Sequence, residues 1–442
     1  MASAVLPPIR PQHLLPHWEM LCNTIGERRA GSAAEHRAAE YLLEQYRRLG
    51  CAEARLEAFP CRMLKRAEAR IEIPQGKRWV RVPCSVLAGS PSTTPADRPV
   101  ERELVWLELP DQKERLKPGS LKGKALLVFG PLSTDTDGHR KLVRSGAEVI
   151  LWVDDRLPME WPKADGLLPE WVRLHGARPT VGVAYRSAYQ WRIDGVKRVR
   201  ACVRTEVVDA VSYNVVADWT GRDPKAGMVA FGCHYDTQLG NPGADDNASG
   251  TVSLLALART LGTRARKKPT RRGLRFISFG TEEQLSVGAK HYVLKHRREM
   301  NAHAVLFNFD SLSSALGHTE LLIAGAPAVG RWAVERLAKA GLEVRPHVAI
   351  TPFGDHFPLT VYGVPAVWYH RSNFPGGRWQ HHSPHDHLGT VSPEALCRIL
   401  NAAAPLALEA AETPKLPFPR GMPKEQRPEI LRLARDLFDL PV

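Results

Sequence analysis

Five short segments of the chain combine histidine and acidic side chains in patterns that suit metal binding or proton transfer. The first, residues 232–236, follows an apolar run with β-strand character and contains His234 and Asp236. A histidine ligates a metal best when a carboxylate holds its other ring nitrogen, so these two residues suit the roles of ligand and orienting partner. The same pattern also occurs in purely structural positions, and by itself it identifies no site.

Two further segments each contain a pair of consecutive acids. Asp245 and Asp246 stand directly before a predicted helix, where acidic side chains also act as caps. Two acids exceed the need for capping, and one carboxylate can bind two divalent ions through its two oxygens. Glu282 and Glu283 follow the apolar strand predicted at residues 274–279. Because consecutive side chains on an extended backbone point in opposite directions, one can ligate a metal while the other faces a bound water.

The last two segments supply an acid and a group of histidines. Asp310 ends the strand predicted at residues 304–309, a position where a lone acid is unremarkable. Residues 380–387 contain His381, His382, His385 and His387. Imidazole suits zinc, but four histidines exceed what one such centre uses. The five segments together offer donors for two zinc ions that share a carboxylate and a water.

The elements that must position these residues follow an α/β pattern. From residue 213 onward, apolar strand-like runs alternate with helix-like stretches. This alternation predicts a mixed, mostly parallel central sheet with helices on both faces. Functional loops are then expected at the carboxyl ends of the strands.

The middle of the chain has a different sequence pattern, in which short β-rich runs are separated by turns rich in proline and glycine. It predicts a small β-rich domain inserted into the larger one. The expected divisions are residues 1–89 for the first part of the main domain, 90–205 for the insertion and 206–442 for the remainder. A length of 442 residues agrees with this plan.

Composition excludes several protein classes. Hydrophobic residues make up 43% and charged residues 24%, as in ordinary globular proteins. The net charge of +14 is spread along the chain without a basic run interleaved with aromatic residues, so no nucleic-acid partner is expected. Seven scattered cysteines form neither a disulfide framework nor a thiolate zinc site. No leader or membrane segment is seen, which leads us to expect a cytoplasmic protein without a membrane partner.

The ordered segments resemble the two-zinc aminopeptidase family that includes the glutamate carboxypeptidases. The similarity rests on the following matching pieces: CHYDT (233–237), GADDNASG (243–250), RFISFGTEEQLSVGAKHY (275–292), LFNFDS (306–311), GDHFPL (354–359), GVPAVW (363–368) and HHSPHD (381–386). Residues 121–129 and 145–150 look like parts of the protease-associated domain that is often inserted in this family. The departures are small, because Ser383 stands where the family usually has threonine and Ala289 where a serine is common.

The resemblance implies a role for each residue of the pattern. His234 and Asp310 would bind one zinc ion, Glu283 and His382 the other, and Asp246 rather than Asp245 would bridge the two. Glu282 would be the general base, and Asp236 would orient His234. The histidine pattern of the family maps best onto residues 382–386, which leaves His381, His385 and His387 without roles.

The implied activity is that of a zinc-dependent exopeptidase acting on peptides, most simply an aminopeptidase. One alternative is a carboxypeptidase, in which Arg371 or Arg378 would hold the carboxylate at the C-terminus of the substrate. Another alternative is an enzyme like glutaminyl cyclase, which uses one zinc ion for transfer chemistry. A binding protein with a degenerate site is disfavoured because all five ligand positions and the base are present. The sequence defines neither the side-chain preference nor the oligomeric state.

Overall fold

The structure is a computed structural model that describes residues 6–51, 53–108, 116–133, 135–374 and 378–441. The chain forms two compact units. The first contains residues 1–61, 210–237 and 242–442, and the second contains residues 62–209 and 238–241. Strands β1 and β8 each contribute residues to both units.

The described strands are β1 (Arg55–Gln75), β2 (Arg78–Val82), β3 (Cys84–Val86), β4 (Val100–Glu108), β5 (Lys124–Phe129), β6 (Val149–Val153), β7 (Thr180–Val183), β8 (Arg198–Trp219), β9 (Met228–His234), β10 (Gly273–Phe279), β11 (His303–Phe309), β12 (His318–Ala324), β13 (Arg345–Val348) and β14 (Ala366–Ser372). The described α-helices are α1 (Leu15–Glu19), α2 (Ala33–Arg48), α3 (Thr136–Arg144), α4 (Pro169–His175), α5 (Tyr185–Ile193), α6 (Ser249–Leu257), α7 (Thr263–Lys267), α8 (Val287–Lys295), α9 (Pro327–Lys339), α10 (His356–Val361), α11 (Pro393–Glu412) and α12 (Arg427–Phe438).

The first unit is built on one sheet with the strand order β13-β12-β14-β11-β9-β10-β8. Four neighbouring pairs are parallel, namely β13 with β12, β14 with β11, β11 with β9, and β9 with β10. The pairs β12 with β14 and β10 with β8 are antiparallel. The predicted mixed, mostly parallel α/β sheet is confirmed.

Four parallel strands of this sheet end at the same edge. In the register of β9 and β10, His234 pairs with Phe279, and in that of β11 and β14, Phe309 pairs with Tyr369. Nearly every residue of β9, β10 and β11 is buried, as expected for strands covered on both faces. The tightly packed strands therefore fix where the loops that follow them begin.

Within the second unit the strand order is β8-β4-β5-β6-β7-β3. Strands β4 to β7 pair in parallel, and the outer pairs with β8 and β3 are antiparallel. Strands β1 and β2 form an antiparallel hairpin. The β-rich runs predicted in the middle of the chain fall in β4, β5 and β6, and the predicted insertion limits, residues 90 and 205, stay a prediction.

Among the described helices, none is long and apolar enough to cross a membrane.

A buried arginine fixes the N-terminal segment to the sheet of the first unit. The side chain of Arg28 is fully buried, and burial lowers its pKa. It donates hydrogen bonds of 2.7–3.3 Å to the backbone carbonyls of Leu21, Gly26, Tyr235, Pro242 and Gly243. The guanidinium group therefore joins the end of β9 to the segment that leads into Asp245 and Asp246.

We expect Arg28→Met to lower the free energy of unfolding by about 3 kcal/mol or more, because several buried carbonyls lose their donors. Urea denaturation followed by circular dichroism measures the change. Arg37 is exposed, and Arg37→Met is the matched control, expected to stay within about 0.5 kcal/mol of the native protein. Equal effects of the two substitutions would contradict this role of Arg28.

Candidate metal centre

The predicted site residues collect at the edge where the parallel strands end. His234 is the last residue of β9, the turn with Glu282 and Glu283 follows β10, and Asp310 follows β11. His234, Asp246 and Asp310 have 1%, 3% and 6% of their surfaces exposed. Buried side chains of this kind need partners with opposite charge or strong donors.

The first group surrounds the Nε2 atom of His234. This atom lies 3.3 Å from Oδ1 of Asp246 and 3.6 Å from Oδ1 of Asp310. One donor atom from each of the three residues lies within 4.8 Å of the other two. Ligands of a tetrahedral zinc ion at its usual bond lengths are about 3.4 Å apart, so these three atoms are spaced to share one ion.

The second group surrounds the other carboxylate oxygen of Asp246. Oδ2 of Asp246 lies 3.1 Å from Nε2 of His381 and 3.6 Å from Nε2 of His382. Nε2 of His382 also lies 3.0 Å from Oε2 of Glu283. The two oxygens of Asp246 thus face different groups, which is the arrangement that a carboxylate bridging two ions requires.

The neighbouring Asp245 faces away from both groups. Its Oδ1 accepts hydrogen bonds from the backbone N–H and the hydroxyl of Ser313, at 2.8 and 2.9 Å. Asp246 and Asn247 leave the helical conformation, with φ and ψ of −112° and 91° and of −135° and 47°. This kink directs the two consecutive acids to different surroundings.

Asp386 holds the kinked segment from outside the two groups. Its carboxylate accepts hydrogen bonds from the backbone N–H groups of Asp245 and Asp246, at 2.7 and 2.9 Å. Sequence reasoning assigned no role to Asp386, although it lies in the motif with the four histidines. Of those histidines, His387 is exposed and accepts from the backbone N–H of Gly389, outside both groups.

Asp236 has a second role beyond the predicted one. Its backbone carbonyl and carboxylate lie 3.3 and 3.5 Å from Nδ1 of His234, which is long for an orienting hydrogen bond. The same carboxylate accepts from the backbone N–H groups of Glu282 and Glu283, at 2.9 and 3.1 Å. Asp236 therefore fixes the turn that carries both glutamates.

Glu35 holds the residue before that turn, and sequence reasoning missed it. The fully buried carboxylate accepts from the backbone N–H of Thr281 at 3.1 Å, from that of Gly31 at 2.6 Å and from the hydroxyl of Ser212 at 2.7 Å. Thr281 has a φ of 55°, a left-handed conformation that such contacts stabilise. Burial and the nearby Asp236 raise the pKa of Glu35 to about 8.

The electrostatics of the site favour cations. Burial raises the pKa of Glu282 well above its ordinary range, and nearby acids, including Glu283 and Asp310, add to this effect. Burial opposes ionisation of Asp246, yet hydrogen bonds with His234 and His381 hold its pKa well below the usual value. Several carboxylates in one buried volume repel one another, and divalent cations relieve that repulsion. The donor set of imidazoles and carboxylates fits zinc.

Both adjacent histidines lie close to Oδ2 of Asp246, and their rings are stacked with centroids 3.6 Å apart. We expect His382→Gln to lose about one bound metal ion per chain, because His382 lies against both Glu283 and Asp246. His381→Gln should retain the metal. Emission spectrometry of the dialysed proteins measures the metal content, and loss of metal from the His381 variant alone would reverse the assignment.

Known proteins match this chain over part or nearly all of its length. Residues 214–407 match the sequence profile of Peptidase family M28. Aminopeptidase YwaD of Bacillus subtilis is 24% identical over 450 residues, an alignment that covers 98% of this chain and 90% of that protein. A probable leucine aminopeptidase 2 of Aspergillus fumigatus is 34% identical over 201 residues, covering 45% of this chain and 38% of the relative.

Solved structures share the fold. BSAP, a zinc aminopeptidase from Bacillus subtilis, superposes with a TM-score of 0.74 at 20% identity, covering 94% of this chain and 99% of that one. A peptidase M28 precursor from Shewanella amazonensis gives a TM-score of 0.75 at 20% identity, covering 92% and 94%. At these identities the likeness shows the fold alone. The profile match over residues 214–407 and the aminopeptidase relatives show that the chain is a hydrolase acting on peptide bonds.

Proposed function

We propose that the chain is an aminopeptidase that holds two zinc ions. His234, Asp246 and Asp310 would bind one ion, and Asp246, Glu283 and His382 the other. The observation that carries the proposal is the position of Asp246, whose Oδ1 faces His234 while Oδ2 faces His382. The names of the relatives, among them a zinc aminopeptidase, support both the metal and the activity.

Glu282 is the proposed general base. Its Oε1 accepts a hydrogen bond of 3.0 Å from the hydroxyl of Ser286, and its Oε2 lies 3.9 Å from Nε2 of His234. Burial raises the pKa of Glu282, which strengthens it as a proton acceptor. When bound, the zinc ions would lower the pKa of a water and polarise the carbonyl of the substrate. Glu282 takes the proton as water attacks that carbonyl, and then delivers it to the leaving amine.

The turn that carries Glu282 supports this role through its backbone. Asp236 accepts from the N–H groups of Glu282 and Glu283, and Glu35 accepts from that of Thr281. Three consecutive backbone donors are thus held by two buried carboxylates. These backbone hydrogen bonds position Glu282 without using its side-chain oxygens.

The surroundings of Arg371 disfavour it as the clamp of a carboxypeptidase, which needs a cation free to bind a carboxylate. The guanidinium of Arg371 donates to the backbone carbonyls of Ser314 and Gly317, at 2.9 and 2.8 Å. Arg378 lies 3.4 Å from Oδ2 of Asp246. Arg371 is thus engaged by the protein itself, whereas Arg378 contacts an oxygen that the proposal assigns to a zinc ion. The names of the aminopeptidase relatives favour recognition of the α-amine.

Glu282→Gln should keep the metal content of the native protein while kcat falls by roughly 100-fold or more, because the proton acceptor is lost and the ligands remain. Metal analysis and steady-state kinetics measure the two quantities. Glu343 is exposed, and Glu343→Gln is the matched control with unchanged kcat. Turnover near the native value in the Glu282 variant would eliminate Glu282 as the base.

Blocked peptides distinguish the two exopeptidase activities. We expect an N-acetylated peptide to resist cleavage, while the same peptide with a free amine and an amidated C-terminus is degraded from its first residue. Mass spectrometry of a time course identifies the order of release. Cleavage of the acetylated peptide together with resistance of the amidated one would establish the carboxypeptidase instead.

A further inference from the structure

A second group of metal-binding side chains lies on the sheet of the first unit and shares no residue with the metal centre. We call it the histidine cluster, and it consists of His318 and Glu320 in β12, His347 in β13 and His370 in β14. Glu320 pairs directly with His370 across β12 and β14. His347 pairs with Leu322, two residues after Glu320, so its side chain emerges on the same face as that of the glutamate.

Three imidazole nitrogens converge on the carboxylate of Glu320. Nε2 of His318 lies 2.5 Å from Oε1, and Nε2 of His347 lies 3.6 Å from the same oxygen. Nε2 of His370 lies 3.3 Å from Oε2, which also accepts a hydrogen bond of 3.1 Å from the hydroxyl of Ser372. The distances from His347 and His370 are close to the ligand spacing of about 3.4 Å in a tetrahedral zinc site.

More imidazole groups surround Glu320 than a carboxylate needs as hydrogen-bond partners. One neighbouring histidine would satisfy Glu320, whereas three imidazoles and one carboxylate are the ligands that zinc and related divalent ions prefer. Burial lowers the pKa of His370 to about 4, so its ring is neutral at physiological pH and suited to ligation. Burial opposes ionisation of Glu320, but the hydrogen bond with His318 lowers its pKa below the ordinary value.

From these contacts we propose that the histidine cluster binds a divalent metal ion of the zinc class, separate from the metal centre. The inference does not depend on the proposed peptidase mechanism, because it concerns a different set of ligands.

Binding requires the cluster to contract. Among the described residues, the groups whose donor atoms already lie within 4.8 Å of one another are those of the metal centre. The side chains of His318 and His347 are 39% and 49% exposed, so both can rotate towards an ion held by Glu320 and His370. Arg345, whose Nη1 lies 3.1 Å from Nε2 of His318, is exposed and can turn into solvent.

The consequence for the fold concerns an edge strand. All four residues of β13 are exposed, and β13 pairs with β12 at the end of the sheet. An ion bound by His347 as well as by β12 and β14 would cross-link this strand to its neighbours. The edge strand would therefore be held by coordination as well as by its backbone hydrogen bonds.

The test counts zinc in the full-length protein and compares variants. After equilibrium dialysis against Zn²⁺, emission spectrometry should find about one more zinc ion per chain in the native protein than in Glu320→Gln or His347→Gln. The exposure of His347 makes its substitution compatible with folding. His13, which lies outside the cluster and is partly exposed, gives the control His13→Gln, and this variant should bind as much zinc as the native protein.

Two outcomes overturn the proposal. Equal zinc content in the native protein and His347→Gln shows that the cluster binds none. An equal loss in His347→Gln and His13→Gln indicates unspecific binding by surface histidines. Cobalt provides an independent readout. When the absorption spectrum of cobalt-loaded His347→Gln is subtracted from that of the cobalt-loaded native protein, the difference should show the visible bands of a tetrahedral Co²⁺ site. A featureless difference spectrum contradicts the site.

Discussion

The crowding of buried carboxylates around His234 is the constraint on which the rest of the site depends. Glu282, Glu283 and Asp310 follow strands that cannot move apart, because their apolar residues pack the sheet on both sides. Asp246 approaches them from the kinked segment before α6. Such a group is unstable when every member is charged and no cation is present. Metal binding thus stabilises an arrangement that the sheet imposes, and burial raises the pKa of Glu282 in the direction that suits a proton acceptor.

Three other buried acids do not face the metal centre, and they act on the backbone instead. Glu35, Asp236 and Asp386 each accept backbone N–H groups from the segments that carry the ligands. A carboxylate that accepts two backbone donors fixes both position and orientation of a turn. Acids outside the metal centre therefore hold in place the loops that carry the ligands, which gives these three buried acids a structural role.

The sequence predicted what depends on local pattern. The apolar strands, the acids that follow them and the parallel α/β sheet are all visible along the chain, because burial on both faces leaves continuous apolar runs. The partners of the turns were not predictable in this way. Glu35 and Thr281 are 246 residues apart, and Asp386 lies 141 residues from Asp245. Both acids read locally as ordinary polar residues, and the choice between Asp245 and Asp246 depended on a family resemblance.

The histidine cluster illustrates a second way in which a sheet assembles a site. The metal centre collects residues where parallel strands end, so His234, Glu283 and Asp310 each end or follow an apolar run that is recognisable in the sequence. The cluster collects residues across a sheet face, where strand register alone decides which side chains meet. His318 and Glu320 are two residues apart, but His347 and His370 belong to other strands. A one-residue shift of either register would turn its histidine to the opposite face. Sites of this kind therefore become visible only when the pairing of the strands is known.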